Sequence, residues 1–392
     1  MREGWTYKKL GDVCESELGK TLNSAKDKGE LHPYLCAVNV LWDKIDISSL
    51  KETKFEDSEL ERYSVKQGDL LVCEGGDIGR AAIWDKDYPI QYQNALHRLR
   101  FSENMLPRFC LMYLMNLKEK GDLDAKYGKG VTIKHLVKSS LLSIPIPVPP
   151  LSEQERIVSE LDLLSSIIEK KKAQLKEYDK LAQSIFYDMF GDPVTNEKGW
   201  EVTKLNSIYK VTSSKRILQE EWKKEGVPFY KVADIVSLIH SEKVIPSAFI
   251  SDSTYGNLLQ HGQVPSVGDI LVTSRGTLGQ CYIVKAEDKF YFQDGMITWL
   301  SQKEKCILPI YLKMLFSSDS FLNSIEQMAN SSTIAYISIN QLSKKIIPLP
   351  PLSLQQSFAS KIEAIERQKA LVQQSIVETQ TMFDYTMDKY FG

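Results

Sequence analysis

The sequence contains two diverged copies of one long unit. Gly68-Asp69-Leu70-Leu71-Val72 returns about 200 residues later as Gly268-Asp269-Ile270-Leu271-Val272, and Gly4-Trp5 returns as Gly199-Trp200. Ile146-Pro147-Val148-Pro149-Pro150-Leu151-Ser152 likewise returns as Ile347-Pro348-Leu349-Pro350-Pro351-Leu352-Ser353. This repeat is too long for a solenoid unit, so each copy is predicted to be a domain with a connecting element. Two diverged copies suggest two similar but non-identical targets.

Bulk properties indicate an ordinary folded protein. The chain has 392 residues, of which 43% are hydrophobic and 26% charged, and this is enough for two domains with cores of their own. The absence of a long apolar run predicts a cytoplasmic protein that does not enter a membrane, and six scattered cysteines without a C-x-x-C pair predict reduced thiols. The formal net charge of -2 means that any contact with DNA must come from local loops.

Each copy is predicted to be a mixed domain followed by a long helix. Short β-rich runs near residues 69–73 and 81–84 lie between glycine turns. The prolines between positions 145 and 150 predict an extended segment, after which Ser152 and Glu155 form a capping box in which Ser152 is the N-cap. The helix continues without glycine or proline to about residue 190, on the order of 55 Å at about 1.5 Å per residue.

Apolar residues in both helices recur at alternating spacings of four and three, which predicts an antiparallel coiled coil. The predicted pairing and partner-docking residues are Ile157, Leu161, Leu164, Ile168, Leu175, Tyr178, Ile185, Met189, Phe358, Ile362, Ile365, Val372, Ile376, Phe383 and Tyr390. The same seams include Ala182, Thr379, Thr386 and two lysines, Lys171 and Lys369. These lysines either fix the register of the pairing or extend outward into solvent.

The predicted fold class is therefore α+β, with two pseudo-repeated globular domains that are each followed by a long helix. The predicted boundaries are 1–150 for the first globular domain, 151–191 for the first helix, 192–351 for the second globular domain and 352–392 for the second helix.

No catalytic or metal-binding motif stands out. The chain lacks a P-loop, an H-E-x-x-H motif and a Gly-x-Ser-x-Gly elbow. An adenine methyltransferase would need an Asn/Asp-Pro-Pro-aromatic tetrapeptide, but the chain has Val148-Pro149-Pro150-Leu151 and Leu349-Pro350-Pro351-Leu352 instead. We therefore expect no catalytic residues and no metal ligands in this polypeptide.

Three paired segments are candidates for contact with a ligand: residues 74–80 with 274–280, 93–98 with 293–298, and 126–134 with 327–335. Glycine allows close approach of backbone N–H groups to phosphate, while arginine and amide side chains suit base edges. The candidates are Gly75, Gly76, Arg80, Asn94, His97, Arg98, Lys126, Tyr127, Lys129, Lys134, Ser274, Arg275, Thr277, Gln280, Asp294, Ser331, Ser332 and Tyr336. The alternatives are a tight hairpin required by the fold for the first pair, divergence without function for the second, and a solvated loop for the third.

The ordered set of motifs resembles the specificity subunit of type I restriction-modification systems. The resemblance rests on Pro147-Val148-Pro149-Pro150-Leu151-Ser152-Glu153-Gln154-Glu155 before a long helix, on Phe190-Gly191-Asp192-Pro193 after it, and on a second copy of each. It covers essentially the whole chain.

The resemblance implies a non-catalytic subunit with two target recognition domains, each reading one half of a bipartite asymmetric site in double-stranded DNA. It implies that the helices set the gap between the half-sites and dock two adenine-N6 methyltransferase subunits, which restriction subunits then join. S-adenosylmethionine is expected in the partner methyltransferase, and no cofactor in this chain. The alternative is a coiled-coil protein-interaction scaffold that does not recognise DNA.

Two features depart from this pattern. The second proline motif continues as Leu354-Gln355-Gln356, without the acids Glu153 and Glu155 of the first copy, which predicts a weaker capping box. The near-neutral charge predicts that tight and specific DNA binding needs the partner subunit.

Overall fold

The chain forms two compact units. The computed structural model describes residues 5–23, 25, 27–131, 134–240, 244–329 and 335–392. Unit 1 comprises Met1–Lys171 with Ser375–Gly392, and unit 2 comprises Lys172–Gln374. Each long helix therefore contributes one part to each unit.

Unit 1 contains a central four-stranded sheet covered by one long buried helix. Its strands are β1 (Thr6–Lys9), β2 (Cys14–Leu18), β3 (Glu30–Leu35), β4 (Val40–Leu41), β5 (Lys44–Ile45), β6 (Lys51–Phe55), β7 (Ser64–Val65), β8 (Leu70–Cys73), β9 (Ala81–Ile83), β10 (Ile90–Tyr92), β11 (Leu96–Phe101) and β12 (Pro145–Val148). Its helices are α1 (Asp57–Leu60), α2 (Pro107–Glu119), α3 (Lys138–Leu142) and the first part of α4 (Leu151–Phe190). The sheets have the orders β2-β11-β8-β9, β6-β3-β10-β7, β1-β12 and β4-β5.

Unit 2 repeats the central sheet and the proline strand. Its strands are β13 (Val202–Lys204), β14 (Tyr209–Thr212), β15 (Val227–Tyr230), β16 (Phe249–Ile250), β17 (Ile270–Thr273), β18 (Cys281–Ile283), β19 (Tyr291–Phe292), β20 (Ile297–Gln302) and β21 (Ile346–Pro348). Its helices are α5 (Leu205–Ile208), α6 (Val232–Ile239), α7 (Asp252–Gln260), α8 (Pro309–Phe316), α9 (Asp319–Glu326), α10 (Ile339–Ser343) and the first part of α11 (Leu352–Phe391). The sheet order β14-β20-β17-β18 corresponds to β2-β11-β8-β9 in unit 1.

The proline segments form strands, as predicted. Pro145–Val148 pairs antiparallel with Thr6–Lys9 in unit 1, and Ile346–Pro348 pairs with Val202–Lys204 in unit 2. Proline tolerates this position because each ribbon has only two strands and thus no second neighbour that would need its missing N–H. The strand delivers the chain to the start of each long helix.

The two long helices pair antiparallel, as predicted. In unit 1, the Arg156 Nη1 donates to the Tyr390 hydroxyl at 2.9 Å, while Lys171, fifteen residues later in sequence, donates to Thr379 Oγ1 at 3.1 Å. In unit 2, the Lys369 ammonium lies 2.8 Å from a carboxylate oxygen of Asp179. Later residues of α4 thus meet earlier residues of α11 in both units.

All fifteen predicted pairing residues are buried or half-buried, and none is exposed. The seam lysines differ in detail. Lys171 also donates to Ser375 and therefore turns toward the other helix instead of extending into solvent. Lys369 joins Asp179 and its own neighbour Glu366 at the rim of the pairing. Both lysines contact specific polar groups, as expected of residues that fix register.

The predicted capping box is wrong. The first long helix begins at Leu151, so Ser152 lies inside the helix and is exposed. The N–H groups of Glu153 and Gln154 donate to the Pro150 carbonyl at 2.9 and 3.1 Å. In the second copy, the Pro351 carbonyl accepts the equivalent bonds from the N–H groups of Leu354 and Gln355. The absence of the two glutamates from this copy therefore does not change how the helix begins.

A buried glutamine fixes each helix start instead. Gln154 Oε1 accepts from the Leu106 N–H at 2.9 Å, and its Nε2 donates to the Asn104 and Pro149 carbonyls, both at 2.9 Å. Gln355 makes the corresponding bonds to Leu308, Cys306 and Pro350 at 2.8, 3.1 and 2.8 Å. Both side chains have zero exposure, and each amide bonds three backbone groups.

We expect Gln355→Leu to lower the free energy of unfolding by about 2 to 3 kcal/mol, because it leaves one buried and two partly buried backbone groups without their partner. Urea denaturation followed by circular dichroism measures the change. The matched control is Gln356→Leu, which alters the exposed neighbouring side chain and should change stability by less than about 0.5 kcal/mol. Equal stability of the two variants would contradict this role of Gln355.

Candidate nucleic-acid interface

A glycine loop follows the central strand of each copy. Gly76 and Gly79 have φ angles of +74° and +79°, and Gly276 and Gly279 have +76° and +75°. These angles favour glycine, and a Cβ added at Gly79 would lie 2.5 Å from Leu123 Cδ1. A Cβ added at Gly76 or Gly276 would meet nothing within 4 Å. The fold alone therefore accounts for glycine in these turns, while their tips lie open.

The first two paired segments meet at this loop, together with residues that directly follow the third pair. In unit 1, the Glu74 N–H donates to the Ala95 carbonyl at 3.0 Å, and the Leu136 N–H donates to the Glu74 carbonyl at 2.6 Å. In unit 2, the Ser274 N–H donates to the Met296 carbonyl at 2.9 Å, and the Ile337 N–H donates to the Ser274 carbonyl at 3.0 Å. Segments that are far apart in sequence thus form one cluster in each unit, with the same backbone connections.

A fourth segment, which sequence analysis missed, completes the cluster. It follows β2 in unit 1, where the Asn94 N–H donates to the Lys20 carbonyl at 3.0 Å. It follows β14 in unit 2, where the Gly295 N–H donates to Ser213 Oγ at 3.0 Å and exposes Lys215 and Arg216. The adjacent basic pair was the available signal in the sequence. The four segments, limited to their described residues, are called the loop cluster below: 19–23, 74–80, 93–98 and 126–131 with 134–136 in unit 1, and 213–217, 274–280, 293–298 and 327–329 with 335–337 in unit 2.

Three of the polar candidates in unit 1 point into the protein, and their predicted role as base-reading side chains does not fit this arrangement. His97 has zero exposure, and its Nε2 lies 2.9 Å from the Leu136 carbonyl oxygen. Burial lowers the pKa of His97. Arg98 is 8% exposed and donates to the Ser64 and Arg62 carbonyls, while half-buried Arg80 donates to the Ala37 carbonyl at 2.6 Å.

These side chains are buried because both faces of β11 are covered. The strand has four consecutive buried residues, Leu96, His97, Arg98 and Leu99. Its side chains therefore do not alternate between the core and solvent. Arg98 and His97 therefore serve as internal hydrogen-bond donors to backbone carbonyls.

The other candidates in unit 1 lie at the surface of the loop cluster. Lys129 is exposed and Lys134 is half-buried, whereas Lys126 is exposed but paired with Asp122 at 2.7 Å. Half-buried Asn94 donates to Thr21 Oγ1 at 3.2 Å. Tyr127 and Gly75 are half-buried and Gly76 is exposed.

In unit 2, the basic candidate is among the accessible ones. Arg275 and Thr277 are exposed, and Asp294 and Tyr336 are half-buried. Ser274 is only 2% exposed and its hydroxyl contacts Thr298 Oγ1 at 2.6 Å, so the prediction that Ser274 contacts a ligand does not fit. Gln280 is half-buried next to the loop. Ser331 and Ser332 lie outside the described residues.

The two loop clusters differ in charge while sharing a backbone. The glycine loop of unit 1 carries Glu74 and Asp77, and Asp77 is 2.7 Å from the Lys118 ammonium. The loop of unit 2 carries Arg275, and its closing contact is a neutral bond from Thr273 Oγ1 to the Thr277 carbonyl at 2.5 Å. The two sites therefore offer different surfaces to an anionic ligand such as DNA.

Two other types of site are absent from the described residues. Within residues 5–23, 25, 27–131, 134–240, 244–329 and 335–392, no three His, Cys, Asp or Glu side chains lie together in a way that could hold a metal ion. In the same part of the chain, no helix combines the length and apolar character that crossing a bilayer requires.

Comparison with known families identifies the two units. A family model described as the type I restriction modification DNA specificity domain matches residues 2–177 and again residues 197–380. The chain belongs to this specificity family. The specificity domain thus occurs twice, once for each copy of the sequence repeat, and the scaffold alternative is not favoured.

Individual specificity subunits are similar along most of their length. The chain is 27% identical over 319 residues to a putative type I restriction enzyme specificity subunit, S.HindORF215P, of Haemophilus influenzae, covering 78% of this chain and 77% of that one. It is 23% identical over 388 residues to the MjaIX specificity subunit of Methanocaldococcus jannaschii, covering 92% and 86%.

Solved structures share the fold. The S subunit of a type I system from M. genitalium aligns with a TM-score of 0.55 at 15% identity over 99% of this chain and 96% of that one. A chain from a study of complex assembly and conformational transition of the type I system aligns with a TM-score of 0.62 at 18% identity over 100% and 98%.

Proposed function

We propose that each loop cluster of this specificity subunit reads one half of a bipartite asymmetric site in double-stranded DNA. The observation that carries the proposal is that four segments meet through repeated backbone contacts but present different side chains. Lys129 and Lys134 reach the surface in unit 1, and Arg275, Lys215 and Arg216 do so in unit 2. Two loop clusters with the same backbone arrangement and different side chains are what two unlike half-sites require.

The chemistry is assigned to a partner. An adenine inside a duplex must be flipped out of the stack before its N6 atom can be methylated. The partner is an adenine-N6 methyltransferase subunit that brings S-adenosylmethionine, and two such subunits join one specificity chain, followed by restriction subunits. The specificity chain supplies the choice of site and is itself non-catalytic.

The long helices supply surface for these partners. Leu163, Met382 and Tyr385 in unit 1 are 61%, 59% and 71% exposed, and Leu371 in unit 2 is 59% exposed. Apolar side chains of this size on the outside of a helix pair, away from its buried seam, favour contact with another protein. The exposed faces of α4 and α11 are therefore proposed as the docking surface for the methyltransferase subunits.

The test is single-molecule sequencing of DNA from a methylation-free host that expresses this chain together with its methyltransferase. We expect N6-methyladenine at one split motif, and none in a control strain that lacks this chain. An Arg275→Gln variant should change recognition in only one half of the motif, whereas Lys305→Gln, an exposed charge on unit 2 outside the loop cluster, should change neither half. Methylation that is independent of this chain, or a motif without a gap, would contradict the proposal.

A further inference from the structure

Lys118 connects the glycine loop of unit 1 to the turn that leads into the third segment of the loop cluster. Its ammonium lies 2.7 Å from an Asp77 carboxylate oxygen in the glycine loop and 2.8 Å from an Asp124 carboxylate oxygen. It also donates to the Ile78 carbonyl at 3.3 Å. Asp124 lies in the π-helical turn Leu123–Tyr127, and the described residues 126–131 of the loop cluster begin within this turn. The Lys118 side chain thus connects the glycine loop to the start of the neighbouring segment.

Lys118 remains a cation in this position. Burial alone would lower its pKa, but the hydrogen bonds that it donates to Asp124 and Asp77 raise the pKa above its usual value. The side chain is 22% exposed, so the two ion pairs are partly shielded from water and salt. The two ion pairs of Lys118 are therefore present throughout the physiological pH range.

A second connection runs from the same loop toward the long helix α4. The Trp42 indole N–H donates to Asp77 at 3.2 Å, and the adjacent residue Asp43 pairs with Arg108. Arg108 also donates to Asp162 of α4, with its Nε at 2.9 Å from the carboxylate. Burial would lower the pKa of Arg108, but its bonds to both carboxylates raise it.

Helix α2 connects these contacts. Arg108 is near its first residue and Lys118 near its last, about 15 Å apart at about 1.5 Å per residue. Two further contacts join the end of α2 to α11: Asn116 donates to the Phe391 carbonyl at 3.2 Å, and Lys120 pairs with Asp388 at 2.9 Å. The helix is therefore fixed to both long helices and, through Lys118, to the glycine loop.

Unit 2 has no charged equivalent at these positions. Counted from the proline that starts α8, the place of Lys118 is taken by Ser320 and that of Arg108 by Ile310, and Thr277 takes the place of Asp77. The loop of unit 2 is closed by the Thr273 hydroxyl from within the loop itself. The connection between glycine loop and long helices through α2 is thus a property of unit 1.

We infer that Lys118 is a positioning residue for recognition of one half-site, holding the glycine loop of unit 1 in a fixed place relative to residues 126–131 and the long helices. The inference rests on the proposed function. Side chains such as Lys129 and Lys134 read a base edge only if their loops keep a defined position, since hydrogen-bond recognition tolerates little displacement. Lys118 itself need not touch DNA.

The experiment compares Lys118→Met with Lys118→Arg in the full chain, coexpressed with its methyltransferase, on a library of split sites with single-base changes in each half. For Lys118→Met we expect discrimination against changes in one half-site to fall about tenfold, with the other half unchanged. Lys118→Arg keeps the charge and should restore most of the discrimination. The affected half should be the one that Arg275→Gln leaves intact.

The matched control is Lys345→Met. Lys345 is a half-buried lysine of unit 2 that donates to Ser324 Oγ at 2.6 Å and contacts no glycine loop. It should leave both halves unchanged. Hydrogen exchange on the purified chain adds a second readout: residues 74–80 and 123–130 should exchange at least threefold faster in Lys118→Met than in Lys118→Arg.

The outcomes separate the two proposals. If the wild-type chain directs no methylation to a split motif, the proposed function fails and the inference fails with it. If the wild-type motif is found but Lys118→Met lowers methylation equally at cognate and altered sites, Lys118 has only a structural role and the inference is overturned. Loss of discrimination in both halves would overturn it as well.

Discussion

Replacing Phe186 with alanine is expected to lower the stability of unit 2 by about 3 to 5 kcal/mol. The side chain is 1% exposed and lies where the end of α4 meets the globular part of the unit. Its ring centroid is 5.3 Å from that of Phe190, 5.7 Å from that of Tyr311 on α8 and 5.9 Å from that of Phe358 on α11. The substitution removes a ring from a cluster that holds three helices together, and neighbouring rings cannot collapse into the space without losing their own contacts.

Urea denaturation of the purified chain measures this change. The transition that includes unit 2 should move to lower urea for Phe186→Ala, and a Leu181→Ala variant provides the matched control. Leu181 is on the same helix but 47% exposed, so its truncation should alter stability by less than about 0.5 kcal/mol. A shift no larger for Phe186→Ala than for Leu181→Ala would show that the aromatic cluster does not hold the helix in place.

Phe186 also shows why periodicity predicts only part of a helix interface. The alternation of four and three identified a seam in which every member is buried or half-buried, because that pattern reports the face turned toward the other helix. It did not identify Phe186 or Phe190, which contact Tyr311 of the globular part of unit 2 as well as Phe358 of the other helix. A helix that packs against two partners has two buried faces, and a single stripe describes one of them.

The helix starts illustrate a different limit. Ser152 and Glu155 fit the spacing of a capping box, but the chain arrives from an extended proline segment whose carbonyls also need donors. The buried amide of Gln154 satisfies the groups on both sides of this junction. Only the recurrence of glutamine at position 355 hinted at the role, and a tertiary contact to Leu106 is invisible to local spacing.

For the candidate interface, the sequence located the segments better than the side chains. The paired segments meet in each unit because they border the same end of the central sheet, which repeats in the fold as in the sequence. Which side chains reach solvent depends on segments that are distant in sequence. Arg98 is buried because it donates to the carbonyls of Arg62 and Ser64, and the sequence around Arg98 does not indicate this contact.

The accessible charges of unit 2 lead to the second large expected effect. β14 and β17 lie on either side of β20, and both end where β20 begins, since Thr212 pairs with Trp299 and Thr273 with Ile297. The loops that follow therefore leave the sheet at the same end. They carry Lys215, Arg216 and Arg275, all exposed.

We expect the combined variant Lys215→Gln, Arg216→Gln, Arg275→Gln to weaken DNA binding by the assembled complex on the order of a hundredfold at 0.15 M salt. Each positive charge that neutralises phosphate contributes about 0.9 to the slope of log affinity against log salt, whether or not its side chain also contacts a base, so the loss of three charges reduces the slope by roughly 2.7. Fluorescence anisotropy measures both the affinity and the salt slope. It uses a duplex that carries the split motif found by sequencing and covers a range of salt concentrations.

A control variant removes the same charge from the opposite end of the same sheet. Lys210 pairs with Ser301 near the end of β20, and Lys303 and Lys305 follow that strand, so Lys210→Gln, Lys303→Gln, Lys305→Gln leaves the loop cluster intact. The two triple variants have equal net charge, and a general electrostatic effect would weaken both alike. If the salt slope is lower than that of the wild-type chain in the first variant alone, the phosphate contacts lie at the loop cluster. If the two variants have the same slope, these three side chains are not specific DNA contacts.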